Sequence, residues 1–244
     1  MNGVLAFDTS TENMSLALAR GERIWTHDAE GGAQASASLI PAILRLLDGA
    51  GIGLQDIDAI AFGRGPGAFT GLRTACSVAQ GLAFGSGKPV LPIDTLLTVA
   101  EDARAGRPIW QGWSILDARM DEIYAGHYRF ESGRWQVLQP PHLTTPQALN
   151  SAWQAAPPMA VAGNALSVFL DRLTPGDALR VPGASPRALA MLPLARQLWA
   201  DGGGVKAALA LPVYLRDKVA QTSAEREAAR ATKLAGAPAG LAAE

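Results

Sequence analysis

The sequence predicts an α/β protein of two lobes, each built on a mixed sheet that helices flank. Three observations predict this class. Apolar segments with period two open the chain and recur after residue 105, segments of helical period alternate with short apolar strands behind them, and a charged, turn-rich stretch over 104–108 separates the two sets. A chain of 244 residues is long enough for two such units. We expect an N-terminal lobe over 1–105, a C-terminal lobe over 106–220 and a flexible, Ala-rich tail over 221–244.

The first lobe is expected to begin as an antiparallel meander, because polar turns separate its three apolar runs. Glycines then end the first long helix, and the glycine-rich block 63–73 opens a second helix that is rich in small residues. The expected order is strands over 4–8, 14–19 and 23–27, a helix over 33–50, a strand over 59–62, a helix from about 70 to 84, a strand over 88–94 and a helix over 95–105.

The second lobe is expected to repeat this outline, although no residue-level repeat is visible. Strands are predicted over 110–117, 122–130 and 134–138, a helix over 145–153, a strand over 159–163 that leads into a helix, and a further helix over 186–199. In the tail, Thr222–Glu225 matches a capping box ahead of a helix. That helix has almost no large apolar residue to dock, so a frayed tail is favoured.

Charge and cysteine content exclude several classes of protein. With 21 Lys+Arg against 22 Asp+Glu, the chain lacks the basic excess of a protein that binds nucleic acid by itself. Cys76 stands alone and the three His are scattered, so we expect neither a disulfide nor a metal site. The N-terminus lacks a basic leader region, and no apolar run approaches the ~20 residues that cross a bilayer. A soluble, cytoplasmic protein is expected.

Two segments contain the residue types of a phosphate site. Asp8, Thr9 and Ser10 follow the first strand, where a carboxylate and hydroxyls could face a phosphate-bound cation or merely satisfy the turn's own backbone donors. In the glycine-rich block, Pro66 stiffens the turn and Thr70 lies at a plausible N-cap, so free amides at the helix start could hold an anion. The Gly-Lys-Ser/Thr of a Walker loop is absent. Close helix packing explains the glycines equally well.

The helices predicted over 33–50 and 70–84 have more apolar surface than one sheet can cover. The large apolar residues of the first exceed the ~100° stripe of a half-buried helix. The second has an i+4 row of small residues that would let another helix approach closely. Burial in the chain's own core and contact with another subunit explain these features equally well. The residues concerned are Leu39, Ile40, Ile43, Leu44, Leu46 and Leu47 in the first helix, and the row Gly71, Ala75, Ala79 and Ala83 with its neighbours Leu72, Val78 and Leu82 in the second.

The chain offers little for nucleophilic or acid–base catalysis. It has no Gly-x-Ser-x-Gly elbow. Cys76 lies within the small-residue helix, where a buried, inert thiol is favoured, and nothing in the sequence fixes the separation of Asp117 and Asp121. We assign no catalytic residue.

Four segments, taken together and in order, resemble the bacterial TsaB family. They are 4–11 (VLAFDTST), 61–73 (AFGRGPGAFTGLR), 116–124 (LDARMDEIY) and 212–216 (PVYLR), and the resemblance covers about 3–220. It implies an actin-like (ASKHA), sugar-kinase-like fold that has lost its working nucleotide site. The implied remnants of that site are Asp8, Thr9, Ser10 and Asp117, and the implied structural motif is Gly65, Pro66, Gly67, Thr70, Gly71 and Arg73.

The resemblance also implies a role: a non-catalytic dimerisation subunit of the machinery that makes threonylcarbamoyladenosine beside the anticodon of tRNA. Such a subunit supports the catalytic TsaD protein and works with the ATPase TsaE. These partners use ATP and Mg²⁺, while the subunit itself holds no cofactor or metal firmly. Alone it forms a homodimer. It reaches tRNA only through the complex, and it does not bind a membrane. The implied interface is Leu39, Ile43, Leu46, Leu47, Gly71, Leu72, Ala75, Val78, Ala79 and Leu82.

Two alternatives stay open. The chain could be an actin-like ATPase that is active by itself, with Asp8 and Asp117 near the phosphates. It could also be a glycoprotease-like peptidase, which the residues support less well.

Overall fold

The computed structural model describes residues 1–216. The predicted tail over 221–244 and its capping box lie outside the described residues. The chain forms ten strands and six α-helices over this range. In order they are β1 Gly3–Asp8, β2 Asn13–Arg20, β3 Arg23–Glu30, α1 Ala35–Ala50, β4 Ala59–Gly65, α2 Phe69–Ser86, β5 Val90–Asp94, α3 Thr95–Arg104, β6 Trp110–Asp117, β7 Ile123–Glu131, β8 Arg134–Thr144, α4 Pro146–Ala155, β9 Ala160–Ala162, α5 Ala165–Val168, β10 Leu179–Val181 and α6 Ala188–Ala200.

The strands form two five-stranded sheets with the same topology. The first has the order β3-β2-β1-β4-β5, with β1 antiparallel to β2 and parallel to β4. The second has the order β8-β7-β6-β9-β10, with β6 antiparallel to β7 and parallel to β9. Each lobe is therefore a three-stranded meander extended by parallel strands. This duplication confirms the predicted mixed sheets in two related lobes, which is the arrangement that the actin-like resemblance implies.

Helices cover both faces of the first sheet. Because side chains alternate along a strand, β1 and its neighbours present large residues such as Leu5 and Phe7 to α1 and α2, and small ones such as Ala6 and Ala61 to the other face. Helix α6 packs on that small-residue face. Helix α6, which was expected to belong to the second lobe, thus packs on the first one. The expected range 106–220 therefore does not form a single lobe.

Some predicted bounds change for local reasons. Strand β8 continues through Pro140 and Pro141 to Thr144, which is possible because it is an edge strand and needs no donor on its outer side. Helix α2 begins at Phe69 with Ala68 as its N-cap, so Thr70 lies in the first turn and is not the predicted cap. Over residues 1–216, no helix combines the length and apolarity needed to span a bilayer.

Candidate functional site

The glycine-rich block packs directly against the turn that follows β1. A Cβ atom on Gly71 would overlap the Thr9 carbonyl oxygen, and one on Gly67 would lie 2.5 Å from the Ser10 carbonyl oxygen. The Ala68 N–H donates to the Ser10 carbonyl at 2.7 Å, and the Thr9 hydroxyl donates to the Gly71 carbonyl at 2.7 Å. Gly67 and Gly71 are therefore required for close backbone approach, which is the packing explanation of these glycines; anion binding at the start of the helix stays a prediction.

Asp8 lies beneath this contact and is 1% exposed. Its carboxylate accepts hydrogen bonds from the Ser10 N–H at 2.7 Å, from the Ser10 hydroxyl at 2.5 Å and from the Thr95 hydroxyl at 3.3 Å. The absence of a side chain at Gly63 makes room for one of its oxygens. Burial raises the pKa of Asp8 to about 6, although the bonds from Ser10 and Thr95 oppose that rise. The carboxylate is thus engaged by donors of the chain itself.

A cleft of about 750 Å³ lies between the two lobes, and only some of the predicted nucleotide-site residues reach it. Ser10 and Asp117 line the cleft, whereas Asp8 and Thr9 do not. The Asp117 carboxylate accepts the Arg119 N–H at 2.8 Å, and the Asp117 N–H donates to the Asn164 side chain at 2.9 Å.

The four candidates do not fit a magnesium–phosphate group. Asp8 and Thr9 do not reach the cleft. Ser10 engages one oxygen of the Asp8 carboxylate, and the other accepts from Thr95 and fills the space over Gly63. Among residues 1–216, no three His, Cys, Asp or Glu side chains converge as a metal site.

The remaining residues of the block hold its shape. Gly65 has φ +110°, a conformation that suits glycine, and it precedes Pro66 in a cis peptide bond. The Arg73 guanidinium lies over the Phe69 ring, 3.8 Å from its centroid, and its Nε donates to the Tyr214 hydroxyl at 3.2 Å.

Most of the predicted interface residues lie in the core of the chain. Seven of the ten are buried within the chain itself, five of them in the core between the first sheet and the two helices, as in the alternative that the sequence left open. Whether a partner contacts this set stays a prediction. Leu46, Val78 and Leu82 are only partly buried at the edge of that core, and for them the prediction stays a prediction. The seven are Leu39, Ile43, Leu47, Gly71, Leu72, Ala75 and Ala79.

The outer sides of α1 and α2 present different residues. Ile40 and Leu44 on α1 are 47% and 55% exposed, and Phe84 on α2 is 86% exposed. Ser77 and Gly81 lie on the exposed side of α2, and a Cβ atom on Gly81 would meet nothing within 4 Å. We name these five residues the outer helix face. In the sequence, this face is indicated by a second row of small residues, Ser77 and Gly81, which is offset from the row Gly71, Ala75, Ala79 and Ala83.

Comparisons with known proteins agree with the resemblance. A family model described as TsaD, tRNA N6-adenosine threonylcarbamoyltransferase, matches residues 24–168. The tRNA threonylcarbamoyladenosine biosynthesis protein TsaB of Escherichia coli (strain K12) is 33% identical over 232 residues, 89% of this chain and 96% of that protein. The TsaB protein of Haemophilus influenzae is 36% identical over 228 residues, 88% of this chain and 94% of that protein.

A solved structure has the same fold. The structure described as YeaZ from Pseudomonas aeruginosa is 39% identical and covers 88% of this chain and all of that one, with a TM-score of 0.79. Together with the identity to the TsaB proteins over nearly their whole length, this match shows that the chain belongs to the TsaB family of tRNA threonylcarbamoyladenosine biosynthesis proteins.

Proposed function

We propose that this chain is a non-catalytic subunit of threonylcarbamoyladenosine synthesis and binds a catalytic TsaD protein through the outer helix face. The observation that carries the proposal is the exposure of Ile40, Leu44 and Phe84 on two helices that cover the same face of the first sheet. Fully burying a large apolar side chain is worth ~1.5–3 kcal/mol. Three of them at one contact therefore supply a substantial part of a specific interface.

The shape of α2 supports a helix as the bound element. Its outer side has small residues at Ser77 and Gly81, and open space surrounds Gly81. Small residues along a ridge allow two helices to pack with their axes close together. Phe84 stands one turn beyond this ridge and would fill a pocket on the partner. In the absence of TsaD, the same face would pair two copies of this chain as a homodimer.

The packing of Asp8 supports a subunit without nucleotide chemistry of its own. Its carboxylate is bonded to Ser10 and Thr95, and the glycine-rich block lies against the same turn. ATP and Mg²⁺ are then used by TsaD and TsaE, and tRNA is reached through the complex. With 21 Lys+Arg against 22 Asp+Glu, the chain offers little attraction for tRNA by itself. Its single cysteine fits the reducing conditions of the cytoplasm.

The test is co-purification with TsaD from the same organism after Leu44→Asp. A carboxylate placed in the contact would be buried without a partner, so the one-to-one complex should be lost on size exclusion. Leu170→Asp is the matched control, because Leu170 is 66% exposed on the second lobe, and it should leave the complex intact. Retention of the complex by Leu44→Asp, or its loss in both variants, would contradict the assigned face.

In an ATPase that is active by itself, the Asp8 carboxylate would have to be available to the bound nucleotide and its cation. Titration of the isolated chain with ATP and Mg²⁺ in a calorimeter should give no binding isotherm. Tight binding with turnover would refute the non-catalytic role.

A further inference from the structure

Two of the segments that carry the family resemblance, 116–124 and 212–216, take no part in the outer helix face. The structure brings them together at the mouth of the cleft, where Arg216 binds Glu122, 94 positions away in the chain. One belongs to the turn between β6 and β7, and the other follows α6. Their contact needs an explanation of its own.

The turn between β6 and β7 has an unusual backbone. Arg119, Met120 and Asp121 have φ angles of +63°, +54° and +65°, so three consecutive residues with side chains are left-handed. L-residues disfavour this conformation, and a run of it persists only where surrounding contacts hold it. We name these three residues the left-handed turn.

Arg216 supplies such contacts from the far end of the chain. Its Nη2 lies 3.0 Å from the Ala118 carbonyl oxygen and 3.2 Å from the Arg119 carbonyl oxygen, and it also binds the Glu122 carboxylate. The side chain is only 14% exposed. All three contacts are made by the one Nη2 nitrogen, while the buried Nε has no hydrogen-bond partner among the described residues.

The same segment is fixed to the glycine-rich block at its other end. The Val213 N–H donates to the Arg64 carbonyl at 2.7 Å. The Tyr214 ring lies 5.2 Å from the Phe69 ring, and the Tyr214 hydroxyl accepts the bond from Arg73. Residues 212–216 therefore hold the first lobe by Val213 and Tyr214 and the second lobe by Arg216.

We propose that residues 212–216 are a strap that fixes the opening of the cleft, with Arg216 as the positioning residue that holds the left-handed turn. Away from the cleft mouth the lobes are joined by α3, which follows β5 of the first sheet and packs on the second sheet, and the Trp135 indole donates to Glu101 of this helix at 2.8 Å. With that side fixed, opening the cleft requires the strap to release one lobe and the exposed ion pair between Arg119 of the turn and Glu12 of the first lobe to separate. The strap also holds the first turn of α2, and so, on the proposed function, it steadies one end of the partner-binding helix.

The test measures the distance between the lobes in the isolated full chain. Cys76 is the only cysteine of the chain and is buried, so spin labels can be placed at Glu22→Cys and Ser151→Cys, two exposed positions on different lobes. Arg216→Ala should make the distribution of distances between the two labels at least about twice as wide, because the lobes then take up a wider range of relative positions. Arg216→Lys should restore part of the narrow distribution.

Arg172→Ala is the matched control. Arg172 pairs with Asp121 of the same turn, but it lies within the second lobe and does not cross the cleft. It should leave the distribution unchanged. Tyr214→Ala releases the other end of the strap at a 43% exposed position, and it should broaden the distribution as Arg216→Ala does, so the test does not depend on one variant that folds poorly.

An unchanged width in both Arg216→Ala and Tyr214→Ala would overturn the strap, as would equal broadening by Arg172→Ala. TsaD is absent from this measurement, and diluting the labelled chain with unlabelled chain removes distances between two copies, so its result is separate from that of the TsaD co-purification. A chain that fails to bind TsaD can still show the strap.

Discussion

Replacing Asp8 with Asn should make the protein more stable at neutral pH, although Asp8 heads a segment typical of the family. The carboxylate is almost fully buried, and burial is the largest cause of its raised pKa. Asn keeps one oxygen that can accept both bonds from Ser10, and its amide can donate to the Thr95 hydroxyl. The substitution therefore removes a buried charge and preserves the hydrogen-bond geometry.

The size of the effect follows from the pKa of Asp8, which rises from 3.8 to about 6 on folding. Because the folded pKa is the higher one, the unfolded chain loses its proton first, and stability falls as pH rises from about 4 to about 6. Each pKa unit corresponds to 1.36 kcal/mol, so ionised Asp8 costs about 3 kcal/mol above that range. Asp8→Asn should recover up to this amount at pH 8 and almost nothing at pH 3.5.

The assay is urea unfolding of both proteins at a series of pH values between 3.5 and 8. The difference in the free energy of unfolding should grow through the window and then level off. If Asp8→Asn were less stable than the parent at pH 8, the charge of Asp8 would be stabilising the turn. That result would reopen the assignment of Asp8 to a cation site.

Three further substitutions test other parts of the first lobe. Asp58→Asn should lower stability at neutral pH, because the N–H groups of Gly3 and Asn2 bind the Asp58 carboxylate and depress its pKa; the loss should fade as acid protonates Asp58 in the parent, as measured by the same unfolding series. Gly71→Ala should cost at least the ~1–3 kcal/mol of an overpacked core, because its Cβ would overlap the Thr9 carbonyl, whereas Gly81→Ala, with open space around it, should gain ~0.5–1 kcal/mol in a thermal or urea melt.

The sequence predicted the strands and helices of the first lobe well, because its periodicities are local. The meander over β1, β2 and β3 follows from alternation interrupted by polar turns. Gly51, one of the glycines expected to end α1, does so in the left-handed conformation. The place of α6 was not predictable in this way. Its apolar residues would suit either sheet, and only the small residues on the second face of the first sheet select it.

Which side of α2 is exposed could not be predicted for a related reason. Helix α2 has two rows of small residues, and both look equally able to face a partner. The row with Ala75 and Ala79 fits the tight space over the first sheet, while Ser77 and Gly81 are left outside. Which row turns inward depends on how α2 packs over the first sheet, and spacing along the chain contains no information about it.

The position of α6 also governs when the first lobe can be completed during synthesis. About 100 residues separate β5 from α6, and a ribosome adds ~5–20 residues per second. The face that contains Ala6, Ala17 and Ala61 is therefore left without its covering helix for several seconds after the first sheet has emerged. A nascent chain arrested before residue 188 should bind a hydrophobic dye or a chaperone through this face, and release it once α6 leaves the exit tunnel.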